Sequence, residues 1–349
     1  FTLFIGHSDI QDYIKKYGIN SSQYSLDNRK VYILNNFYVS FYSNTSKCID
    51  WSIIHDKDNN ILEESCPFVD LSFFKILGKK HTDLKNNNIK IVEEAIDFAL
   101  MANANYWHFT ITALDKILQM EDKGFPGKYM VFNKPYVREI IMLAGLPLDK
   151  FIFVNDGEMY QVKNLHVLKC DFTTDAAKVS NIDYLQKIKA RVLEHLNLDN
   201  IITYPRKLYV KRIGSRKIIN ENELLEIMTN DGFEVMIPEE HSLEEQIKYF
   251  YAADIVVTPH GANSTNVLFM RPNTHFIECF GHAWIPPCML MPIKVNQINY
   301  HMLVSRYYGN SSVSIKNVTD DFSIDSLMLD IILNNIKSSK INNFYAKIK

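Results

Sequence analysis

Short apolar runs alternate with helical patterns through the second half of the chain, and this alternation restricts the fold more than any other feature. Strands are predicted at 207–210, 233–236, 255–257 and 275–278. Helices are predicted between them, at 221–230, 242–253 and 263–270. Neighbouring parallel strands need a crossover connection, and a helix usually supplies it. The sequence therefore predicts a Rossmann-like parallel sheet.

The first half has a more mixed texture. Strands are predicted at 31–34, 37–42, 51–54, 129–132 and 151–154, and helices at 91–101, 107–120, 135–144 and 182–198. Polar residues and Pro205 then interrupt the pattern, so we predict a boundary near 199. The α/β prediction is one domain over 1–199, strand-rich over 1–90, and a second over 200–349. The last helix is free in this scheme to pack back on the first domain.

Charge and composition exclude several classes of protein. The chain has 38 Lys and Arg against 40 Asp and Glu, a formal net charge of −2, and 47% hydrophobic residues. A general nucleic-acid binder needs a basic excess, so no nucleic-acid partner is predicted. No apolar run reaches the length of a membrane-spanning helix. The basic end, with Lys337, Lys340, Lys347 and Lys349, predicts either peripheral membrane contact or a solvated tail.

The cysteine pattern bears on the compartment. The five cysteines are Cys48, Cys66, Cys170, Cys279 and Cys288. They are widely spaced and odd in number, which favours reduced thiols and the cytoplasm, with a secretory lumen as the alternative. The chain does not begin with Met, which allows for a longer parent protein.

A turn of small residues follows the predicted strand at 255–257. A helical pattern begins at Asn263, and the N–H groups at a helix start hold anions well. Close approach of a ligand is allowed by Gly261 and Ala262, and hydrogen bonds can come from His260, Ser264 and Thr265. An anion site and an ordinary strand–helix turn both fit this pattern.

A basic loop follows the predicted strand at 207–210. Arg212 and Arg216 suit bidentate contact with phosphate oxygens, although a solvated loop fits too. Parallel strands place this loop on the same sheet edge as the turn at 260–263. Two anion-binding features on one edge predict a diphosphate site.

Glu278 and His108 are the other candidate functional residues. Glu278 ends the last predicted strand, where a carboxylate could accept hydrogen bonds from ribose hydroxyls or form a surface ion pair. His108 begins a helix that carries Asp115 two turns later, and it could act as a general base or pack among aromatic residues.

No metal site or cofactor site is predicted. The pair Asp56 and Asp58 has the spacing of a divalent-cation motif, but Asn59 and Asn60 follow it and favour a solvent turn. The sequence contains no zinc spacing, P-loop or dinucleotide fingerprint.

Taken in order, these residues resemble glycosyltransferase family 61. The resemblance runs from about 103 to 308 and leaves residues 1–90 outside it. Its segments lie at 105–108, Asp115, 209–212, Arg216, 219–224, 232–235, 238–240, 257–262, Asn266 and 277–278.

The resemblance implies a GT-B-like enzyme with two Rossmann-like domains facing a cleft. The first domain would bind a glycan acceptor and the second a nucleotide-sugar donor, commonly UDP-linked. Transfer would be inverting and independent of a metal. The implied diphosphate contacts are Arg212, Arg216, His260, Gly261, Ala262 and Asn263; the implied nucleoside contacts are Glu278 and Glu239. His108 is the first candidate for the base and Asp115 the second.

A soluble chain with reduced cysteines suits surface or capsular polysaccharide synthesis. Two alternatives stay open. One is a catalytically inactive, nucleotide-binding scaffold subunit of a polysaccharide-assembly complex. The other is an enzyme that transfers a phosphate-linked group or epimerises a nucleotide sugar. The sequence leaves the sugar and the oligomeric state open.

Overall fold

The chain divides into two compact units, Phe1–His195 and Leu196–Lys349. The structure, a computed structural model, describes residues 15, 21–26, 29–44, 49–58, 62, 88–99, 105–168, 180–305 and 319–348. Outside these, or outside the described side chains, lie Cys48, Cys66, Cys170, Lys340, Lys347 and Lys349. Each unit is built on one β-sheet.

The described strands of the first unit form a mixed sheet. They are β1 (Ser21–Leu26), β2 (Arg29–Asn44), β3 (Ile49–His55), β4 (Lys90–Asp97), β5 (Lys128–Phe132), β6 (Phe151–Val154) and β7 (Met159–Leu168). The order is β1-β2-β7-β4-β5-β6, with β3 on β2. Pairs that involve β2 are antiparallel, whereas β7, β4, β5 and β6 run parallel. The predicted strands at 51–54, 129–132 and 151–154 are confirmed, and those predicted at 31–34 and 37–42 are parts of one strand, β2.

The helix predicted at 91–101 is wrong, because residues 90–97 form strand β4. Glu93, Glu94 and Ala95 favour helices on their own. Here β4 lies between β7 and β5 and hydrogen-bonds to both, with Ala95 and Ile96 fully buried. Pairing with residues more than 30 positions away outweighs the local preference.

Among the described residues of the first unit, three α-helices pack together. They are α1 (Leu114–Asp122), α2 (Pro135–Leu143) and α3 (Ile182–His195). A π-helical turn, His108–Ala113, leads directly into α1. Leu185, Ile188 and Val192 lie one helical turn apart on α3 and are fully buried, as their spacing predicts.

The second unit contains a wholly parallel sheet. Its described strands are β8 (Lys207–Val210), β9 (Glu234–Met236), β10 (Ile255–Pro259), β11 (His275–Phe280) and β12 (Asn299–Val304). The order is β12-β11-β10-β8-β9. Strand β10 is central and every one of its residues is buried, as expected for a parallel strand covered on both faces. The predicted parallel sheet is confirmed.

The helices of the second unit are α4 (Glu221–Asn230), α5 (Leu243–Ala252), α6 (Leu290–Asn296) and α7 (Ser326–Ile348), with a 3₁₀ helix at Ala262–Phe269. Helix α5 begins with the predicted capping box: the Ser242 hydroxyl accepts from the Glu245 N–H at 3.2 Å, and Glu245 accepts from the Ser242 N–H at 3.0 Å. Leu329, Leu333 and Ile336 of α7 belong to the core of this unit.

Candidate functional site

The carboxyl ends of β8, β10 and β11 lie side by side at one edge of the parallel sheet. In the sheet register Val257 pairs with Tyr209, and Thr258 pairs with Glu278. The basic loop, the turn after β10 and Glu278 therefore meet at this edge, where ligands bind in open α/β sheets.

Arg212 lies against the backbone of the turn after β10. Its Nη1 donates to the His260 carbonyl oxygen at 3.4 Å, and its Nε donates to the Ser215 carbonyl. A Cβ added to Gly261 would stand 1.8 Å from Arg212 Nη1. Glycine at 261 is therefore what allows the guanidinium to reach this position.

Arg216 is the second guanidinium of the edge. It has a left-handed backbone, with φ 63°, and its guanidinium carbon lies 5.2 Å from the centre of the Trp284 ring. Burial, and then the charge of Arg212, lower the pKa of Arg216 to about 10. Burial also lowers the pKa of Arg212, against the opposing charges of Glu239 and Asp321.

The two guanidiniums lack neutralising contacts of their own. Within the part of the chain that the structure describes, neither Arg212 nor Arg216 forms an ion pair, and the buried Nε of Arg216 has no hydrogen-bond partner. Since each charge disfavours the other, a bound anion would relieve both their desolvation and their repulsion.

The 3₁₀ helix after β10 adds backbone donors. Its first bonded N–H is that of Ser264, which donates to the Gly261 carbonyl at 3.1 Å, so the N–H groups before it are those of an open helix start. Ala262 and Asn263 are half-buried here. The Ser264 and Thr265 hydroxyls are fully buried and have no hydrogen-bond partner among the described residues.

His260 and Glu278 form a buried pair. His260 Nδ1 lies 2.6 Å from Glu278 Oε1, and the Tyr300 hydroxyl donates to Glu278 Oε2 at 2.8 Å. The His260 ring stacks on Phe280 at 5.0 Å and meets the edge of Trp284 at 5.1 Å. The ribose contact predicted for Glu278 stays a prediction, and both of its oxygens have partners inside the protein.

Sequence reasoning missed Tyr300 and Trp284 at this edge. Tyr300 lies on β12, a strand absent from the predicted pattern, and Trp284 follows β11 in an irregular segment. Adding one more strand beyond β11 would have placed Tyr300 beside Glu278, because Phe276 pairs with Tyr300 in the register.

His108 stands at the start of the π-helical turn in the first unit. It is partly buried, and its ring meets Trp107 edge-on at 4.9 Å. Burial lowers the pKa of His108 to about 4, so the imidazole is neutral near pH 7 and can accept a proton. π-Helical turns are rare and are frequent at functional sites.

Asp115 has a different environment from His108. It is fully buried, lies 3.0 Å from the Lys116 ammonium, and accepts hydrogen bonds from Gln119 Nε2 at 2.9 Å and the Asn181 N–H at 3.1 Å. Burial raises the pKa of Asp115, against the charge of Lys116. No hydrogen bond among the described residues joins it to His108, since residues seven apart on a helix lie about two turns from each other.

Glu239 and the pair Asp56 and Asp58 complete the residues singled out in the sequence. Glu239 is exposed on a 3₁₀ turn, Pro238–Glu240, beyond β9. Asp56 accepts from the Asp58 N–H at 2.9 Å, which is the hydrogen bond of a polar turn. In the described ranges, His, Cys, Asp and Glu side chains do not gather in threes as metal sites do. The helices of the same ranges lack the length and apolar character of a membrane span.

A family model described as glycosyltransferase 61 matches residues 106–277. The match is just under half of the chain and includes His108, Asp115, Arg212, Arg216 and the turn after β10. The chain is a glycosyltransferase, and residues 106–277 are similar to glycosyltransferase family 61. The family expectation from the sequence is therefore confirmed.

Among solved structures, the chain is similar to TibC, described as a bacterial iron-containing dodecameric glycosyltransferase from enterotoxigenic E. coli H10407. The two are 10% identical, and the alignment covers 77% of this chain and 81% of TibC with a TM-score of 0.35. At that score nothing about this chain is inferred from TibC. No curated protein matches the chain.

Proposed function

We propose that the chain is an inverting, metal-independent transferase that moves a sugar from a nucleotide-sugar donor, UDP-linked, to a hydroxyl of a glycan acceptor. One observation carries the proposal: Arg212 lies on Gly261 beside Arg216 and the open start of the 3₁₀ helix. All three features suit a diphosphate, the group that leaves when a nucleotide sugar reacts.

In this proposal the sheet edge stabilises the leaving group. The acceptor oxygen bonds to the anomeric carbon while the bond to the diphosphate oxygen breaks, so negative charge grows on the diphosphate. Arg212, Arg216 and the N–H groups before Ser264 are donors fixed in advance, and such donors stabilise developing charge without reorganisation. They supply the positive charge that a divalent cation supplies in other transferases.

The architecture in the proposal is GT-B-like, with the donor on the second unit and the acceptor on the first. Support comes from the division into two α/β units and from the parallel sheet in the second. Glu239, beyond β9, would meet the nucleoside. Inversion rests on the resemblance to the family.

The first unit would supply the base that takes the acceptor proton. His108 is the first candidate because its partly buried imidazole is neutral near pH 7. Asp115 is the second candidate. His108 is preferred because the carboxylate oxygens of Asp115 are already bonded to three protein groups. Turnover of His108→Gln should fall by about 10²–10⁴-fold. Near-normal turnover would remove His108 from the mechanism.

We extend the proposal to surface polysaccharide synthesis on the cytoplasmic side. The described cysteines, Cys279 and Cys288, are both free and buried, and burial raises the pKa of the Cys288 thiol to about 12. Such thiols are compatible with a reducing compartment.

The donor site is tested by thermal melting against a panel of nucleotides and nucleotide sugars, with and without EDTA. A ligand that binds only the native state raises Tm according to its concentration over its Kd. We expect one nucleoside diphosphate to raise Tm equally with and without EDTA.

Two variants make that test specific. Arg212→Ala should lose the Tm shift. Arg206→Ala should keep it, because Arg206 is exposed at the opposite end of β8 and pairs with Asp254 at 2.7 Å. A shift that vanishes with EDTA would refute metal independence alone. No shift with any nucleotide would refute the donor site and favour the scaffold alternative.

A further inference from the structure

We propose that Glu278 and Tyr300 are positioning residues for His260: Glu278 accepts from its Nδ1–H, so that in the imidazolium form its Nε2–H donates to the donor diphosphate. The inference rests on the proposed function, because it deepens the role of the same sheet edge. It gives the buried carboxylate a different task from the predicted ribose contact.

Glu278 is the acceptor of both hydrogen bonds that join it to His260 and Tyr300. Glu278 is 1% exposed and accepts from His260 Nδ1 at 2.6 Å and from the Tyr300 hydroxyl at 2.8 Å. A carboxylate beside one imidazole nitrogen keeps a proton on that nitrogen, so a second proton on Nε2 is directed away from the carboxylate. Burial and the charge of Glu278 raise the pKa of Tyr300 well above its usual range, so its hydroxyl stays a donor.

The aromatic neighbours fix the plane of the His260 ring. Phe280 lies nearly parallel to it, with an interplanar angle of 20°, and Trp284 stands nearly perpendicular, at 75°. Trp284 also faces the Arg216 guanidinium. One indole ring therefore contacts both the histidine and an arginine of the proposed diphosphate site.

Nε2 is the nitrogen left for a ligand. Among the residues that the structure describes, it has no hydrogen-bond partner, whereas Nδ1 is bonded to Glu278. The backbone of the same histidine holds Arg212 through its carbonyl oxygen. The ring and backbone of His260 thus serve one place on the sheet edge.

A ribose contact would require a different arrangement of Glu278. Both carboxylate oxygens already accept hydrogen bonds, and the side chain is closed to solvent. A sugar hydroxyl would have to displace Tyr300 or His260 from a buried carboxylate, at the cost of leaving a buried polar group without its partner.

The test compares two probes, UDP and inorganic pyrophosphate, by titration calorimetry on the full chain. The variants are Glu278→Gln, Tyr300→Phe and His260→Asn, together with the double variant that combines Glu278→Gln and His260→Asn. His260→Asn keeps an N–H donor near the Nδ1 position and removes Nε2, so it protects the fold. The matched control is Glu244→Gln, an exposed acid on α5 paired with Lys248.

If Glu278 acts through His260, Glu278→Gln weakens both probes by the same factor, about tenfold, the loss usual for an outer partner of a ligating histidine. Tyr300→Phe weakens both probes by less, about threefold, because Tyr300 acts on His260 only through Glu278. Added to His260→Asn, Glu278→Gln causes no further loss. A loss with UDP but not with pyrophosphate would overturn the inference and restore the ribose contact, and full additivity would overturn it too.

A second readout needs no ligand. Nitrogen-15 NMR of labelled histidines should show a proton on His260 Nδ1 in the wild type. The Nδ1 signal should change in Glu278→Gln and should stay unchanged in Glu244→Gln. A wild-type His260 with a proton on Nε2 and none on Nδ1 would overturn the inference. Binding that depends on Arg212 but not on Glu278 would overturn the inference and leave the proposed function intact. If the wild type binds neither probe, the proposed function fails first, and the inference with it.

Discussion

Two buried carboxylates, Asp115 in the first unit and Glu278 in the second, have opposite kinds of partner. Asp115 is bonded to Lys116, to an amide side chain and to a backbone N–H at the start of α3. Glu278 is bonded to a tyrosine hydroxyl and to a histidine. Both are closed to solvent.

In our proposal this difference separates a structural acid from an acid at the donor site. The partners of Asp115 hold α1 to the start of α3, and two of them, Lys116 and Gln119, are themselves buried. The histidine beside Glu278 has a second nitrogen and lies at the ligand-binding edge of a parallel sheet. Burial alone therefore does not identify a functional carboxylate, whereas the chemistry of its partner does.

Asp115→Ala should have the largest effect, and the effect should be on stability. The change removes the carboxylate that lies 3.0 Å from the buried Lys116 ammonium, and breaking a buried ion pair costs about 3–5 kcal/mol. Denaturant unfolding measures it. Asp122→Ala on the same helix removes an exposed pair with Lys187 and should cost about 1 kcal/mol or less. Normal stability with lost activity in Asp115→Ala would make Asp115 a site residue and break the contrast.

Arg212→Ala should have the next largest effect, and the effect should be on rate. Losing one fixed donor to the developing charge lowers kcat by about 10²–10³-fold, while the unfolding free energy changes little because the side chain is only partly buried. Steady-state kinetics measures the loss, and the same measurement on Arg206→Ala shows whether removing any arginine has this effect. An unchanged rate would refute the diphosphate assignment.

Gly261→Ala should reproduce part of that loss without touching a charge. The new Cβ would collide with Arg212 Nη1, so we expect donor affinity to fall about tenfold, the value of a charged hydrogen bond. The backbone at 261 is extended and accepts alanine, so Tm should hold. Gly214→Ala is the control, because its Cβ would meet nothing within 4 Å. Equal binding by the two variants would show that Arg212 does not bind from this position.

His108→Gln should have a smaller effect, which is a change in how the free energy of unfolding depends on pH. Its folded pKa, about 4, lies below the ordinary value of 6.5. Between these values the unfolded chain binds a proton that the folded chain does not. The contribution of His108 to the free energy of unfolding is therefore present above pH 6.5 and is lost as pH falls toward 4. From pH 7 down to pH 4 the unfolding free energy of the wild type should fall relative to that of His108→Gln, because burial penalises only the protonated imidazole. A constant difference would mean that the imidazole is not shielded.

The sequence predicts the second unit better than the first, for a physical reason. Strands such as β10 are buried on both faces and appear as continuous apolar runs. Strand β4 contains Glu93 and Glu94, and only its pairing with distant strands makes it extended. The residues of the sheet edge could be predicted because they follow predicted strands. The family could be predicted because these residues carry its motifs. The bond between His260 and Glu278 was not, because it depends on the register of two strands that are 20 residues apart.

The strand order of the second unit also has a consequence for how the chain folds during synthesis. Strand β10 is central and pairs with β8 and β11, so the earlier strands β8 and β9 can pair only with each other until residue 255 has been made. Parallel pairs have no hairpin nucleus and form slowly. The core also includes Leu329, Leu333 and Ile336, so on the ribosome this unit exposes an apolar face until its last helix emerges, and a folding chaperone has that interval in which to act.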